Sequence, residues 1–269
     1  MSDAPSTEPA ATEGAEPILR LRGVGRRFGG VAAVQDVDLE VRPGERRAIL
    51  GPNGAGKTTL FNLISGEVPP TSGTVELFGG DLTNQPARAR APLGISRTFQ
   101  TSRLFLELSV EDNVYLAVLG ARDGHLRPVR SRRDAEIRER AREVAGSMGL
   151  SDALDHTTAE LSHGEQRQLE VAMARAADPK LMLLDEPAAG LSRAERARVT
   201  DLLESLDPEI TLILIEHDMD VALRVAEWVT MMHDGRVIAS GTPAQIRADE
   251  TVHELYLGSR YTEDDGGGS

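Results

Sequence analysis

Two hydrophobic patterns typical of β-strands occur along the chain. Apolar and polar residues alternate in "PILRLRGVGRRF" and "VAAVQDVDLEVRPGERRAIL", where Pro43 and Gly44 mark a turn, and this two-residue period predicts sheet strands. Later, "KLMLLDEP" and "TLILIEHD" begin with unbroken apolar runs, which suit central parallel strands buried on both faces. "SGTVELFGGDL" predicts another short strand pair, and "VTMMHDGRVIASG" predicts a hairpin around Asp234 and Gly235.

Helical spacing fills most of the remaining chain. "KTTLFNLISG" is helical and ends at Gly66, and the stretch from Val110 to about Leu154 is helical and rich in charge. "SRAERARVTDLLESL" predicts a helix between the two apolar strands, and "PAQIRADETVHELYL" predicts a closing helix. The resulting β-α-β order predicts an α/β protein with a parallel core. In "SRRDAEIRERAREVAGSMGL", four apolar residues share one helix face: Ile137, Ala141, Val144 and Met148.

The composition excludes several kinds of function. A length of 269 residues suits one large domain or two closely joined lobes. The lack of cysteine excludes disulfides, thiolate metal sites and a cysteine nucleophile. A net charge of -13 argues against nucleic acid as a partner, because such binding depends on phosphate neutralisation. No apolar run approaches the roughly 20 residues that cross a bilayer, and the acidic N-terminus does not resemble a signal peptide.

The stretch "GPNGAGKTT" carries the first chemical motif. It matches G-x-x-x-x-G-K-[ST] between a predicted strand and a predicted helix, and Lys57 is one of only two lysines in the chain. Its glycines let backbone N–H groups converge on phosphates; Lys57 is predicted to reach the β- and γ-phosphates, and the Thr58 hydroxyl is predicted to be a ligand for Mg²⁺. The predicted nucleotide-binding residues here are Gly51, Pro52, Asn53, Gly54, Ala55, Gly56, Lys57, Thr58 and Thr59.

Acidic residues and a histidine follow the two apolar strands. Asp185 ends "LMLLD" and is predicted to hold Mg²⁺, while Glu186 is predicted to orient the water that attacks the γ-phosphate. His217 follows "TLILIE", and because the ends of such strands face the ligand crevice, it is predicted to contact the γ-phosphate.

A Ser-x-Gly turn that opens a helix narrows the class of protein. In "LSHGEQRQLEVAMARA", Ser162 and Glu165 resemble a capping box, and the stretch lies just before "LMLLDEP". With the phosphate loop, this turn makes the sequence similar to the ATP-binding cassette (ABC) family over about residues 18–257. The resemblance implies a phosphate-loop (RecA-like) parallel-sheet core with an antiparallel β subdomain and an inserted α-helical subdomain.

The resemblance implies roles for further residues. Phe28 resembles the aromatic that stacks on adenine, and Gln100 in "RTFQ" resembles the glutamine that reaches Mg²⁺ and the attacking water. Ser162 and Gly164 resemble the signature residues that bind the γ-phosphate held by the opposite protomer, and "AAGLS" resembles the D-loop at the dimer seam. The chain departs from the common pattern by having His163 and Glu165 in the signature, Ser192 in the D-loop and phenylalanine at position 28.

The resemblance also implies a domain organisation. One ATPase domain spans residues 17–261, with a β subdomain and core lobe over about 17–100 and 178–240 and a helical subdomain over about 101–177. A helical extension follows over about 241–258, and residues 1–16 and 262–269 are predicted to be flexible tails.

The implied function is to power a transporter with ATP and Mg²⁺. "FGGVAAVQDV", "RTFQTSRLFLELSVEDNV" and "EPAAGLS" resemble ATPases of branched-chain amino-acid importers, and the ATPases of urea or short-chain amide importers are the alternative. The implied partners are a second cassette subunit, membrane permease subunits and, indirectly, a substrate-binding protein, at the cytoplasmic face of the membrane. The apolar cluster Leu104, Phe105 and Leu106 is predicted to meet the permease, with one or two of the three in the core.

Non-transport functions remain less favoured alternatives. Soluble translation cassettes usually carry two cassettes in tandem, and this chain has one. DNA-repair ATPases of the superfamily carry a long coiled coil, for which the stretch between Gln100 and Ser162 is short. A small-molecule phosphate-loop kinase would lack the signature turn.

Overall fold

A computed structural model of the protein describes residues 16–98, 103–123 and 132–252. Gln100 and most of the two predicted tails therefore lie outside the described residues. Within the described part, no helix is both long enough and apolar enough to cross a membrane.

A four-stranded antiparallel sheet forms from the first parts of the alternating segments and from "SGTVELFGGDL", which confirms these strand predictions, whereas "RRAIL" joins the other sheet. The strand order of the four-stranded sheet is β2-β1-β4-β5. Leu19 and Leu21 are buried on one face of β1, while the side chain of Arg20 forms ion pairs with Glu40 of β2 and Glu76 of β4. The strands are β1 (Leu19–Phe28), β2 (Val31–Val41), β4 (Ser72–Leu77) and β5 (Gly80–Asp81).

A second sheet of six strands has the order β10-β9-β3-β8-β7-β6. Strands β9, β3, β8, β7 and β6 are parallel and β10 is antiparallel. Every residue of β7 and β8 is buried, as the unbroken apolar runs predicted. The strands are β3 (Arg46–Leu50), β6 (Ile95–Arg97), β7 (Leu181–Asp185), β8 (Thr211–Ile215), β9 (Trp228–His233) and β10 (Arg236–Gly241).

Alternate residues of the parallel strands enter two different hydrophobic clusters. Leu184 and Leu214 pack with the helices on one face, whereas Leu183 and Ile213 pack with α1 and the antiparallel sheet on the other. Since both faces are covered by apolar groups, the strands carry no polar alternation. The hairpin between β9 and β10 also follows the prediction, with Asp234 and Gly235 both at positive φ.

The predicted helices are present with small differences. Ile137, Ala141 and Val144 are buried on α4, and Met148 is buried just beyond its end. The closing helix is divided at Asp249 into two short helices. The helices are α1 (Lys57–Ser65), α2 (Ala87–Arg90), α3 (Val110–Asp123), α4 (Arg132–Ser147), α5 (His163–Arg175), α6 (Arg193–Glu204), α7 (Met219–Val225), α8 (Pro243–Ala248) and α9 (Glu250–Val252).

Candidate functional site

The phosphate loop joins the buried end of β3 to the first residue of α1. Gly56 is the N-cap of α1 with φ of 99°, and a Cβ atom there would lie 2.3 Å from the carbonyl oxygen of Ala33. A Cβ atom on Gly51 would lie 2.2 Å from the carbonyl oxygen of Met232. Neighbouring backbone therefore requires glycine at both positions. Among the described residues, no side chain caps the N-terminus of α1, which leaves its N–H groups available to an anion.

The ammonium group of Lys57 lies against its own loop. Its Nζ donates to the carbonyl oxygens of Gly51 at 2.5 Å and Pro52 at 3.0 Å. Burial lowers the pKa of Lys57, although the negative charges of Glu186 and Asp185 oppose this effect. The structure thus brings the predicted phosphate-binding lysine close to the predicted metal ligand Asp185 and the predicted catalytic residue Glu186.

Asp185 and Glu186 have different environments although they are adjacent. Asp185 ends β7 and its side chain is 2% exposed; burial raises its pKa, and Arg97, with Nη2 3.4 Å from Oδ2 of Asp185, opposes the rise. Glu186 has a φ of 50°, uncommon for a residue with a side chain, and its N–H donates to the carbonyl of Ile215 at 3.0 Å. This left-handed turn brings the Glu186 side chain to the surface, where it is 21% exposed.

His217 follows β8 and lies beside Glu186. Its Nδ1 is 3.8 Å from Oε2 of Glu186 and 3.9 Å from Oε2 of Glu216. The His217 side chain is 53% exposed and accessible to a ligand. The ends of β7 and β8 therefore bring His217 close to the adjacent acids Asp185 and Glu186, although the histidine is far from them in the sequence.

Sequence reasoning missed Glu216, a fully buried carboxylate between two segments of the site. It accepts hydrogen bonds from the N–H groups of Ala188 at 2.9 Å and His217 at 3.2 Å. Burial raises the pKa of Glu216, although these hydrogen bonds oppose the rise. Through these two hydrogen bonds, the Glu216 carboxylate holds the turn after Glu186 against the end of β8. An acid at the end of an apolar strand was the available signal.

Phe28 ends β1 and pairs with Val31 of β2, two residues before Ala33. Its side chain is 46% exposed, and the guanidinium carbon of Arg26 is 4.6 Å from the centre of its ring. The next strand, β2, carries the Ala33 carbonyl that closely approaches Gly56. An exposed aromatic ring is a suitable surface for a nucleotide base.

Ser162 and Gly164 are held by carboxylates. Ser162 is the N-cap of α5: its hydroxyl oxygen accepts from the N–H of Glu165 at 3.3 Å and its own N–H donates to Oε2 of Glu165 at 2.8 Å, so the predicted capping box is confirmed. The Ser162 hydroxyl also donates to Oε2 of Glu165 at 2.8 Å. The N–H of Gly164 donates to Oε1 of Glu195 at 3.2 Å. Glu195 also caps α6 through Ser192, so the signature turn is joined to the segment that resembles a D-loop.

An apolar groove lies beside the nucleotide site. Leu104 packs partly against the core, which confirms one part of the prediction, whereas Phe105 is 53% exposed and Leu106 47% exposed. We refer to the apolar groove beside the nucleotide site, which Leu104 lines, as the Leu104 groove. It is lined by Ser96, Arg97, Thr98, Arg103, Leu104, Ala117, Glu170, Met173 and Ala174.

The fold and site define the class of protein. After strand β3, the parallel sheet carries a glycine loop with a lysine, followed by a helix with an open N-terminus. Asp185 and Glu186 lie at the end of β7, which is separated from β3 by one strand, β8. This arrangement is that of a phosphate-loop nucleotide-binding protein.

Comparisons with known proteins define the family. Residues 34–189 match the family described as ABC transporter, and residues 236–262 match the one described as branched-chain amino acid ATP-binding cassette transporter. The high-affinity branched-chain amino acid transport ATP-binding protein LivG of Escherichia coli K12 is 38% identical over 251 residues, 90% of this chain and 98% of LivG.

Two further proteins show the breadth of the similarity. The lipopolysaccharide export system ATP-binding protein LptB of Escherichia coli K12 is 37% identical over 245 residues, 90% of this chain and 98% of LptB. The ADP conformation of MJ1267, an ATP-binding cassette of an ABC transporter, superposes with a TM-score of 0.79 at 29% identity, covering 91% of this chain and all of MJ1267. The chain belongs to the ABC transporter family and is an ATP-binding, ATP-hydrolysing ABC ATPase with the RecA-like fold.

Proposed function

We propose that this ABC ATPase powers the uptake of branched-chain amino acids through separate membrane permease subunits. The match of residues 236–262 to the branched-chain amino acid cassette family carries this proposal, and the similarity to LivG supports it. The similar identity to LptB shows that identity over the cassette alone does not separate import from export. The proposal therefore depends on the C-terminal match, and a urea or short-chain amide importer is the alternative.

ATP is proposed to bind between Phe28 and the end of β8. The base stacks on the exposed ring of Phe28, and the phosphates lie on the N–H groups of the loop and the N-terminus of α1. Lys57 then exchanges the carbonyls of Gly51 and Pro52 for phosphate oxygens. A buried ammonium is suited to this exchange because its charge interacts more strongly where water is excluded.

The donor set near the loop fits Mg²⁺. The metal takes oxygen ligands and usually combines one or two protein groups with substrate phosphates and water. The Thr58 hydroxyl and the Asp185 carboxylate supply such oxygens, and Gln100 is predicted to add another. In the described residues no cluster of three His, Cys, Asp or Glu residues could hold a metal by itself, so this ion would need the nucleotide. When bound, Mg²⁺ would neutralise negative charge on the nucleotide's phosphates.

Glu186 is proposed to orient the attacking water. Its carboxylate is partly exposed beside His217, on the same edge of the sheet as the phosphate loop. It accepts a hydrogen bond from the water and directs the oxygen at the γ-phosphate, while His217 contacts the γ-phosphate oxygens. Glu216 keeps the backbone of both segments in place through its two hydrogen bonds.

A second cassette subunit is proposed to complete the site. The Ser162 hydroxyl and Gly164 N–H are donors at the start of α5, where a helix N-terminus favours an anion. They now donate to Glu165 and Glu195, so they must exchange these carboxylates for the γ-phosphate of the opposite subunit. Closure of the two subunits on each other would surround the γ-phosphate with hydrogen-bond donors in a site that excludes more water.

Uptake measurements test the transported substrate. Cells that lack this chain should lose leucine, isoleucine and valine uptake and retain urea uptake. Wild-type protein should restore the loss, whereas a variant with Glu186→Gln should not. Loss of urea uptake with unchanged leucine uptake would contradict the assignment and support the alternative.

A further inference from the structure

The side chain of Arg97 connects the phosphate-loop helix to the acid that ends β7. It is 7% exposed, and its Nη1 donates to Oδ1 of Asn62 at 2.7 Å and to Oγ of Ser65 at 2.9 Å, both on α1. Its Nη2 lies 3.4 Å from Oδ2 of Asp185. One guanidinium therefore holds two elements of the nucleotide site together.

The next residue holds the backbone of the same acid. The N–H of Asp185 donates to the hydroxyl of Thr98 at 3.1 Å, and the N–H of Thr98 donates to the carbonyl of Leu183 at 2.9 Å. Asp185 is thus held at its carboxylate by Arg97 and at its backbone by Thr98. Both residues also line the Leu104 groove, so a partner in the groove would lie against them.

How tightly a carboxylate binds a metal ion depends on the groups that orient the carboxylate. A carboxylate bonded to a fixed guanidinium has a set plane, and loss of such an outer partner typically weakens metal binding by about 10–100-fold. The guanidinium is fixed because it is planar and bonded to α1, the helix that begins with Lys57 and Thr58.

We propose that Arg97 is a positioning residue that orients the Asp185 carboxylate toward Mg²⁺ and keeps it in register with Thr58. This inference rests on the proposed function, which takes Asp185 and Thr58 as ligands of the ion. Arg97 itself touches neither the nucleotide nor the attacking water in this proposal, so its loss should affect the metal more than the nucleotide.

The test measures Mn²⁺ binding to the protein by electron paramagnetic resonance. A non-hydrolysable ATP analogue is first bound completely by excess protein without metal, and Mn²⁺ is then titrated while the free six-line signal is recorded. Arg97→Met should bind the analogue with an affinity within about twofold of wild type, and its Mn²⁺ dissociation constant should rise about tenfold or more. Arg97→Lys should bind Mn²⁺ about threefold or more weakly, because an ammonium lacks the planar fork that spans both elements.

Arg47→Met is the matched control. Arg47 is also a buried arginine, with Nε 2.6 Å from Oε1 of Glu45, but it lies near the opposite end of the parallel sheet. Its loss should leave Mn²⁺ affinity unchanged. If Arg97→Met binds Mn²⁺ with an affinity within twofold of wild type, or more tightly, the inference is wrong. If Arg97→Met does not fold, an unchanged Mn²⁺ affinity in Arg97→Lys would overturn the inference instead. Failure of the wild type to bind the analogue would instead contradict the proposed function.

Discussion

Nδ1 of His217 lies 3.8 Å from Oε2 of Glu186, although each residue follows a different strand of the parallel sheet. The two strands, β7 and β8, pair in register with Asp185 opposite Ile215, so the residues that follow them emerge side by side. In the proposed function, the γ-phosphate and the attacking water meet beside this pair.

Glu186→Gln should keep ATP binding and lose hydrolysis. The amide retains the shape of the side chain but cannot accept the proton as a carboxylate does, and such loss typically lowers turnover by about 10²–10⁴-fold. Steady-state phosphate release and nucleotide titration measure the two properties, and the variant should accumulate as an ATP-bound dimer. Glu209→Gln, at an exposed position, is the control. Near-normal turnover in Glu186→Gln would contradict the assigned role.

Lys57→Ala should weaken nucleotide binding itself. The variant removes the ammonium that is proposed to contact the β- and γ-phosphates, and a hydrogen bond to a charged group contributes about 1.5–3 kcal/mol. We therefore expect an affinity loss of about ten- to a hundredfold in a fluorescence titration. Lys180→Ala is a matched control because Lys180 is the other lysine of the chain and is exposed. Equal affinities for the two variants would count against the phosphate-loop assignment.

Ser162→Arg should abolish hydrolysis while the monomer still binds ATP. The Ser162 hydroxyl is proposed to contact the nucleotide bound by the opposite subunit, and the larger, charged arginine side chain would block that contact. Mixing this variant with Lys57→Ala subunits should restore at most one composite site in each dimer. Thr242→Arg is the control, because Thr242 caps α8 with a similar capping box. A monomer of Ser162→Arg that cannot bind ATP would show that Ser162 acts within its own subunit.

Phe105→Asp should separate ATP binding from transport. The exposed ring is proposed to contact a permease, and a charge there opposes burial in an apolar contact. The isolated variant should fold and bind ATP, while permease co-purification and leucine uptake fall. Leu93→Asp is the control, since Leu93 is also exposed, at 42%, but lies before the start of β6, whereas Phe105 follows the end of that strand. Normal assembly and uptake with Phe105→Asp would place the docking surface elsewhere.

Glu111→Gln should destabilise the contact between α3 and α4. Oε1 of Glu111 accepts from Arg138 at 2.9 Å and Oε2 from Arg142 at 2.7 Å. Burial acts to raise the pKa of Glu111, but its bonds to Arg142 and Arg138 outweigh burial and leave the pKa below its usual value. The arginines are 37% and 50% exposed, so we expect a loss of only about 1 kcal/mol at neutral pH.

The same variant tests the sign of the pH dependence. Because the folded-state pKa is lowered, the stabilisation by Glu111 is present above the unfolded-state pKa and is lost as the pH falls through the folded-state value. The gap in denaturation midpoint between wild type and Glu111→Gln should therefore narrow in acid. A gap that stays constant down to the acid limit of folding would show that charge does not contribute to the contact.

The sequence alone determined those features whose cause is local. The phosphate loop is specified by nearby glycines and Lys57, the buried strands β7 and β8 by their apolar runs, and the start of α5 by Ser162 and Glu165. Each depends on residues a few positions apart, so periodicity and capping chemistry suffice to predict it. The fold class and the family were accessible for the same reason. The roles assigned to individual site residues, and the lobe boundaries, remain predictions.

Only the tertiary structure decided which distant groups meet. Strand β6 has three residues, too few for a periodic pattern, yet its pairing with β7 brings Arg97 to Asp185. Likewise, the buried Glu216 and the bond between Gly164 and Glu195 join segments far apart in sequence. Strand order and the packing of side chains on both faces of the sheet create these contacts, because neither is encoded by the spacing of residues within one element.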